Sequence, residues 1–210
     1  MSAVSLGAAE RWRLQFMHDA KDSTLTINDL KFPSASRGVA VGYLTKGRSV
    51  SPVALVTSDG GQRWSFVKTR DPGLSLFFLN ESAGWMVTRK SLWKTVESGR
   101  SWTELPRSAA TARVSHVYFR DENHGWAVGQ AKAFYATTDG GKRWTRVPAV
   151  DQLESTRERT VFNCIAFANP RSGMVAGMSI PPRDEPLVPA WMDPESAVKR
   201  IEEPHLMVFL

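Results

Sequence analysis

The chain has 210 residues, 42% of them apolar, and 27 Lys and Arg stand against 21 Asp and Glu for a net charge of +6. That is enough to bury a core, yet no run of about 18 apolar residues is present to form a membrane-crossing helix, and Met1 to Glu10 lacks the basic start and continuous apolar stretch of a signal peptide. Cys164 is the single cysteine, which excludes an internal disulfide.

Residues 1–25 form a lead-in, in which Trp12-Arg-Leu-Gln-Phe16 has the composition of an outer strand. From residue 26 the chain repeats itself. In the first repeat, about 26–70, an apolar strand ends at Phe32 and a second opens at Gly38, six residues on. A hairpin extension over Tyr43 to Pro52 follows, carrying Lys46 and Arg48, and then the turn Thr57-Ser-Asp59-Gly-Gly61-Gln-Arg-Trp64 leads into a fourth strand. The second repeat, about 71–110, has Phe78 and Gly84 and the turn Thr95-Val-Glu97-Ser-Gly99-Arg-Ser-Trp102. The third, about 111–150, has Phe119 and Gly125 and the turn Thr137-Thr-Asp139-Gly-Gly141-Lys-Arg-Trp144. The fourth, about 160–210, has Phe167 and Gly173, an insertion over Ser179 to Pro204 with a short helix expected from Asp193, and a third strand at His205 to Leu210.

The Phe positions lie 46, 41 and 48 residues apart (78−32, 119−78, 167−119), the period of a four-stranded antiparallel blade. The expected fold is all-β: a β-propeller of four-stranded antiparallel blades, here an incomplete arc of three full blades and parts of two others. Closed propellers use roughly four to eight blades, so the arc is expected to be a fragment of a roughly seven-bladed ring. The apolar strand Leu206-Met-Val-Phe-Leu210 is then an open edge available for self-association.

Each turn has a mechanical reading. The Asp carboxylate accepts backbone N–H groups within the turn, Gly supplies a conformation costly for other residues, and Trp staples the turn to the blade. Glu97 and Ser98 replace Asp and Gly in the second copy, so that blade is expected to be the softest. Trp144→Ala is expected to cost roughly 3–5 kcal/mol if the ring is buried. Cys164, in the apolar run Cys164-Ile-Ala-Phe167, is expected to be a buried spectator.

These residues resemble the Asp box, Ser/Thr-x-Asp-x-Gly-x-x-Trp, of sialidase-type propellers: two copies match in full and one has Glu97 in the Asp place. With the strand pairs Phe78…Gly84-Trp85 and Phe119…Gly125-Trp126, the chain from about residue 26 to 210 is most similar to the photosystem II stability/assembly factor family and its bacterial relatives. The resemblance implies a non-catalytic scaffold that binds another protein, an acidic or membrane-protein segment, and it favours an extracytoplasmic setting. The structural set is Thr57, Asp59, Gly61, Trp64, Thr95, Glu97, Gly99, Trp102, Thr137, Asp139, Gly141 and Trp144. The loop arginines Arg37, Arg48 and Arg120 are the candidate partner-binding residues.

The alternative is a glycoside hydrolase, because sialidases and xyloglucan-cleaving propellers share Asp boxes. It would need two carboxylates across a cleft, for which Asp71, Asp121, Asp151 and Asp184 are the loop candidates. Tyr43, Tyr118 and Tyr135 carry no nucleophile signature. His18, His116, His124 and His205 are too widely spaced for a metal site, so neither metal nor cofactor is expected. No dense basic run or zinc spacing points to nucleic acid.

Overall fold

The computed structural model describes residues 14–169, 172–180 and 205–209. Three four-stranded antiparallel meanders follow one another: β1 (Ser23–Lys31) to β4 (Ser65–Lys68), with β2 (Gly38–Lys46) and β3 (Ser49–Thr57) between; β5 (Gly73–Phe78), β6 (Gly84–Thr88), β7 (Leu92–Thr95) and β8 (Thr103–Glu104); and β9 (Val114–Phe119), β10 (Gly125–Gly129), β11 (Ala133–Thr137) and β12 (Thr145–Arg146). A three-stranded sheet of β13 (Thr160–Asn169), β14 (Ser172–Ser179) and β15 (His205–Phe209) completes the described residues. This is a β-propeller arc of four successive blades.

The Phe–Gly pairs have a direct steric cause. The ring of Phe32 lies on Gly38, Phe78 on Gly84, Phe119 on Gly125 and Phe167 on Gly173, so closely that a Cβ on each glycine would stand 2.5–2.8 Å from ring carbons. Each pair joins the end of the inner strand to the start of the second, as in Phe119 opposite Gly125. A second set of glycines lies four residues on. Side chains at Gly42, Gly129 and Gly177 would collide with the carbonyl oxygens of Thr26, Arg113 and Val161, beside the bulges of β1, β9 and β13. In the second blade this position is Thr88, and the glycine has moved across the pair to Gly73.

Three cores form between blades, and a smaller one of Ala40, Val53 and Leu55 lies within the first. Val39, Val41 and Ala54 of the first blade pack on Leu76, Met86 and Trp93 of the second. Trp85, Val87 and Leu92 of the second pack on Val117, Phe119 and Ala127 of the third, with Trp85 stacked on Phe119 at 3.7 Å and 7°. Val128 of the third packs on Phe162 and Val175 of the fourth. A polar ladder links the inner strands. Asn28 Nδ2 donates to Gly73 O at 2.7 Å, the Leu76 N–H to Asp29 Oδ2 at 2.8 Å, Ser75 Oγ to Ser115 O at 2.6 Å, and Ser115 Oγ to Phe162 O at 3.4 Å.

Two expectations change. Leu14, Gln15 and Phe16 form no strand; Phe16 instead meets Phe66 of β4 edge-on at 6.2 Å, and Trp12 and Arg13 lie outside the described residues. Cys164 is exposed, not buried. It follows the bulge of β13, opposite Ala176, and apolar strand composition does not reveal which residue a bulge turns outward. The helix expected from Asp193, the residue Asp184 and the end of the edge strand at Leu210 also lie outside the described residues.

Candidate functional site

The three Asp-box turns share one rim with the loops joining inner to second strands, and each turn is tied to the loop of its own blade. Gly60 N–H donates to Ser36 O at 2.9 Å, Ser98 N–H to Ser82 O at 3.0 Å, and Gly140 N–H to Asn123 O at 2.9 Å. Within each turn the buried threonine, already a member of the structural set, is a second organiser. The Oγ1 of Thr57, Thr95 and Thr137 accepts the N–H of Gly61, Gly99 and Gly141, each at 3.0 Å.

The carboxylates behave as the turn requires. Asp59 Oδ1 takes the Arg63 N–H at 2.9 Å and the Thr57 hydroxyl at 2.8 Å, and these bonds, the backbone one foremost, hold its pKa below the ordinary carboxylate value. Asp139 Oδ1 takes the Arg143 N–H at 2.9 Å, the main cause of its lowered pKa, and also the Lys142 N–H at 3.0 Å. Glu97 accepts instead from the Ser101 hydroxyl at 2.6 Å.

The second turn is less well made in two further ways. Ser98 takes φ +56°, in the left-handed region that Gly60 and Gly140 occupy at +71° and +76°. The Trp102 indole N–H is buried without a partner, whereas that of Trp144 donates to Gly141 O at 3.0 Å. Changing Glu97→Asp and Ser98→Gly together is therefore expected to stabilise the protein by about 1 kcal/mol. A urea midpoint that falls or stays put would show that the second turn carries no strain.

Between the first and second blades this rim holds a cleft of about 390 Å³ lined by Arg37, Asp59, Arg63, Ser65, Ser98 and Arg100. Arg37 comes from the β1–β2 loop and ends 4.0 Å from Glu81; Arg63 and Arg100 come from two successive Asp-box turns. Three arginines line the cleft with Asp59, whose own needs are met by its turn, so the cleft offers permanently charged donors to an incoming anion.

The arginines singled out from sequence do not converge. Arg37 lines the cleft, but Arg120 lies in the third blade, 3.6 Å from Asp121 and over the Trp126 ring at 5.9 Å. Arg48 is in the turn between β2 and β3, at the opposite end of β2 from Arg37. Arg63 and Arg100 complete the cleft, and a signal for them existed. The two positions before each Trp read Gln-Arg, Arg-Ser and Lys-Arg, a basic residue in every turn.

Of the loop acids weighed as catalysts, the three among the described residues have other partners. Asp121 accepts the N–H groups of His124 and Asn123, which hold its carboxyl well below the usual range. Asp151 pairs with Arg146 at 2.7 Å, which lowers its pKa, and Asp71 with Lys90 at 3.4 Å. Asp121 is on the Asp-box rim, whereas Asp71 and Asp151 lie in connections between blades at the other. Among the described residues no group of three or more His, Cys, Asp or Glu side chains is placed to hold a metal ion.

Residues 105–180 match the family profile of the photosynthesis system II assembly factor YCF48. Over that stretch, about a third of its length, the β-propeller resembles the Ycf48 family. The chain is 33% identical over 67 residues to the photosystem II assembly lipoprotein Ycf48 of Synechocystis sp., a stretch that covers 32% of this chain and only 18% of that protein. Among solved structures, the GH74 xyloglucanase of Xanthomonas campestris superposes with a TM-score of 0.55 at 12% identity, over 73% of this chain and 26% of that one. That likeness is one of fold. A structure of YCF48 bound to D1 peptide matches at 18% identity over 74% of this chain and 76% of that one, with a TM-score of 0.34. The Ycf48-like stretch takes in the third blade and the first two strands of the fourth. Arg37, Arg63 and Arg100 precede it.

Proposed function

We propose that this chain is a non-catalytic protein-binding scaffold of the photosystem II assembly-factor type, which receives an acidic protein segment on its Asp-box rim. The carrying observation is the cleft lined by Arg37, Arg63 and Arg100 together with Asp59. The family match and the printed role of the Synechocystis relative support the scaffold reading. That relative is named a lipoprotein, which supports an extracytoplasmic setting; no helix of the described residues is long and apolar enough to cross a membrane. Glycoside hydrolysis has less support, because Asp71, Asp121 and Asp151 serve as turn caps or ion-pair partners at opposite rims.

The test is binding of a short fluorescent peptide rich in Asp and Glu. Reversing Arg37, Arg63 and Arg100 to Glu is expected to weaken it about tenfold or more, since each exposed pair contributes modestly, and to leave the melting temperature nearly unchanged. Arg48→Glu, on the other rim, is expected to bind as wild type. Equal affinity for the triple variant would overturn the proposal.

A further inference from the structure

The two rims of the arc differ in charge. On the rim opposite the Asp boxes, segments 46–49, 68–73, 88–92 and 104–114 of the first two blades hold eight Lys and Arg against two carboxylates. That surplus of six (8−2) equals the net charge of the whole chain. The loops of the same two blades on the Asp-box rim, 31–38, 57–65, 78–84 and 95–103, hold four against three. Further round the basic rim, segments 129–133 and 146–160 also hold four against three. The positive excess is therefore concentrated on one side of the first two blades.

The two carboxylates are sunk and the cations stand out. The Asp71 side chain is 13% exposed, whereas that of Lys90, 3.4 Å away, is 68% exposed. Glu104, at 21%, takes Arg107 at 2.7 Å and Arg70 at 3.3 Å, whose side chains are 59% and 72% exposed. Lys46, Arg48, Lys68, Arg89 and Arg113 are exposed and make no ion pair among the described residues. Solvent therefore meets cations, and what neutralisation there is comes from beneath them. At the tip of the β2–β3 hairpin, which carries Lys46 and Arg48, Val50 lies opposite Thr45 and is 55% exposed.

We infer that this rim rests on an anionic lipid surface, with the β2–β3 hairpin tip at the level of the headgroups. Four separate connections supply the cations, so the rim offers spread charge and not one geometric slot, which suits a surface recognised by its average charge density. Long Lys and Arg side chains keep their charged heads in that polar layer while their stems lie along the protein. The four segments contain no aromatic residue on which a nucleic-acid base could stack. An apolar tip amid cations gains from the boundary between headgroups and acyl chains, and gains nothing from phosphodiesters. The Asp-box cleft lies on the other rim, so an arc seated this way holds it away from the membrane. Nothing in this contact uses Arg37, Arg63 or Arg100.

Cosedimentation of the 210-residue protein with vesicles at low ionic strength tests this. Capture is expected on vesicles of equal parts phosphatidylglycerol and phosphatidylcholine and not on phosphatidylcholine alone, and it is expected to fall as added salt shortens the reach of the charges. A variant carrying Arg48→Glu, Arg89→Glu and Arg113→Glu is expected to bind the mixed vesicles about a hundredfold more weakly, since each cation at an anionic surface is worth about fivefold. Its circular dichroism melting curve is expected to match wild type. The variant carrying Arg37→Glu, Arg63→Glu and Arg100→Glu loses the same net charge, yet is expected to keep most of the vesicle binding, so the difference between the two reports position. Equal capture on phosphatidylcholine, equal losses in the two variants, or tighter binding of a short DNA duplex than of the mixed vesicles at the same salt would overturn the inference.

Discussion

Trp85→Ala is expected to cost about 3–5 kcal/mol, the range for removing a large aromatic from a core. Trp85 is fully buried, lies flat on Phe119 and donates its indole N–H to Gly140 O at 3.2 Å, which joins the second blade to the Asp-box turn of the third. Its loss opens a cavity, strips Phe119 of its stacking partner and leaves a carbonyl short of a donor. Against a typical total stability of about 5–15 kcal/mol, that is a large share. Trp144, the residue that sequence alone nominates as the staple, is only half-buried and meets Phe119 edge-on at 6.1 Å. Trp144→Ala should therefore cost less, about 2 kcal/mol. Urea titrations of both variants check the order; a Trp144 variant losing more than the Trp85 variant would place the main support in the turns rather than between blades.

Gly125→Ala is the second large effect, with an expected loss of about 2–3 kcal/mol from overpacking. The new Cβ would stand 2.5 Å from Phe119 Cδ1. The ring has nowhere to retreat, because Trp85 covers its other face. The same substitution in a Phe119→Leu background should cost clearly less, since the smaller side chain vacates the space, and the double-mutant cycle measures that coupling. If Gly125→Ala costs the same in both backgrounds, the glycine is required by its backbone and not by the ring.

The Phe–Gly and Asp-x-Gly-x-x-Trp spacings were legible because both are local: a ring on a glycine six residues away, and a carboxylate bonded four residues on. The strands of the third repeat follow from the same locality. What escaped depends on neighbours distant in sequence. Gly42, Gly129 and Gly177 carry no local signal, because their need arises from a carbonyl on the paired inner strand. Cys164 was misjudged because an apolar run does not say which of its residues a bulge turns outward. Arg63 and Arg100, 37 positions apart (100−63), form one cleft only because successive blades set equivalent turns side by side. Arg48 and Arg37 are nearer in sequence, yet β2 carries them to opposite rims.

The ladder along the inner strands is made entirely of side chains reaching main-chain groups: Asn28 to Gly73 O, Asp29 from Leu76 N–H, Ser75 to Ser115 O, Ser115 to Phe162 O. Every polypeptide offers the carbonyls, and nearly every one the amides, whatever its side chains. A blade attached this way demands little of its neighbour's sequence beyond a ring and a glycine at the proper spacing. Such a unit can be duplicated, exchanged or allowed to drift without redesign of the next one, which explains how three Asp-box turns of unequal quality persist in a single chain.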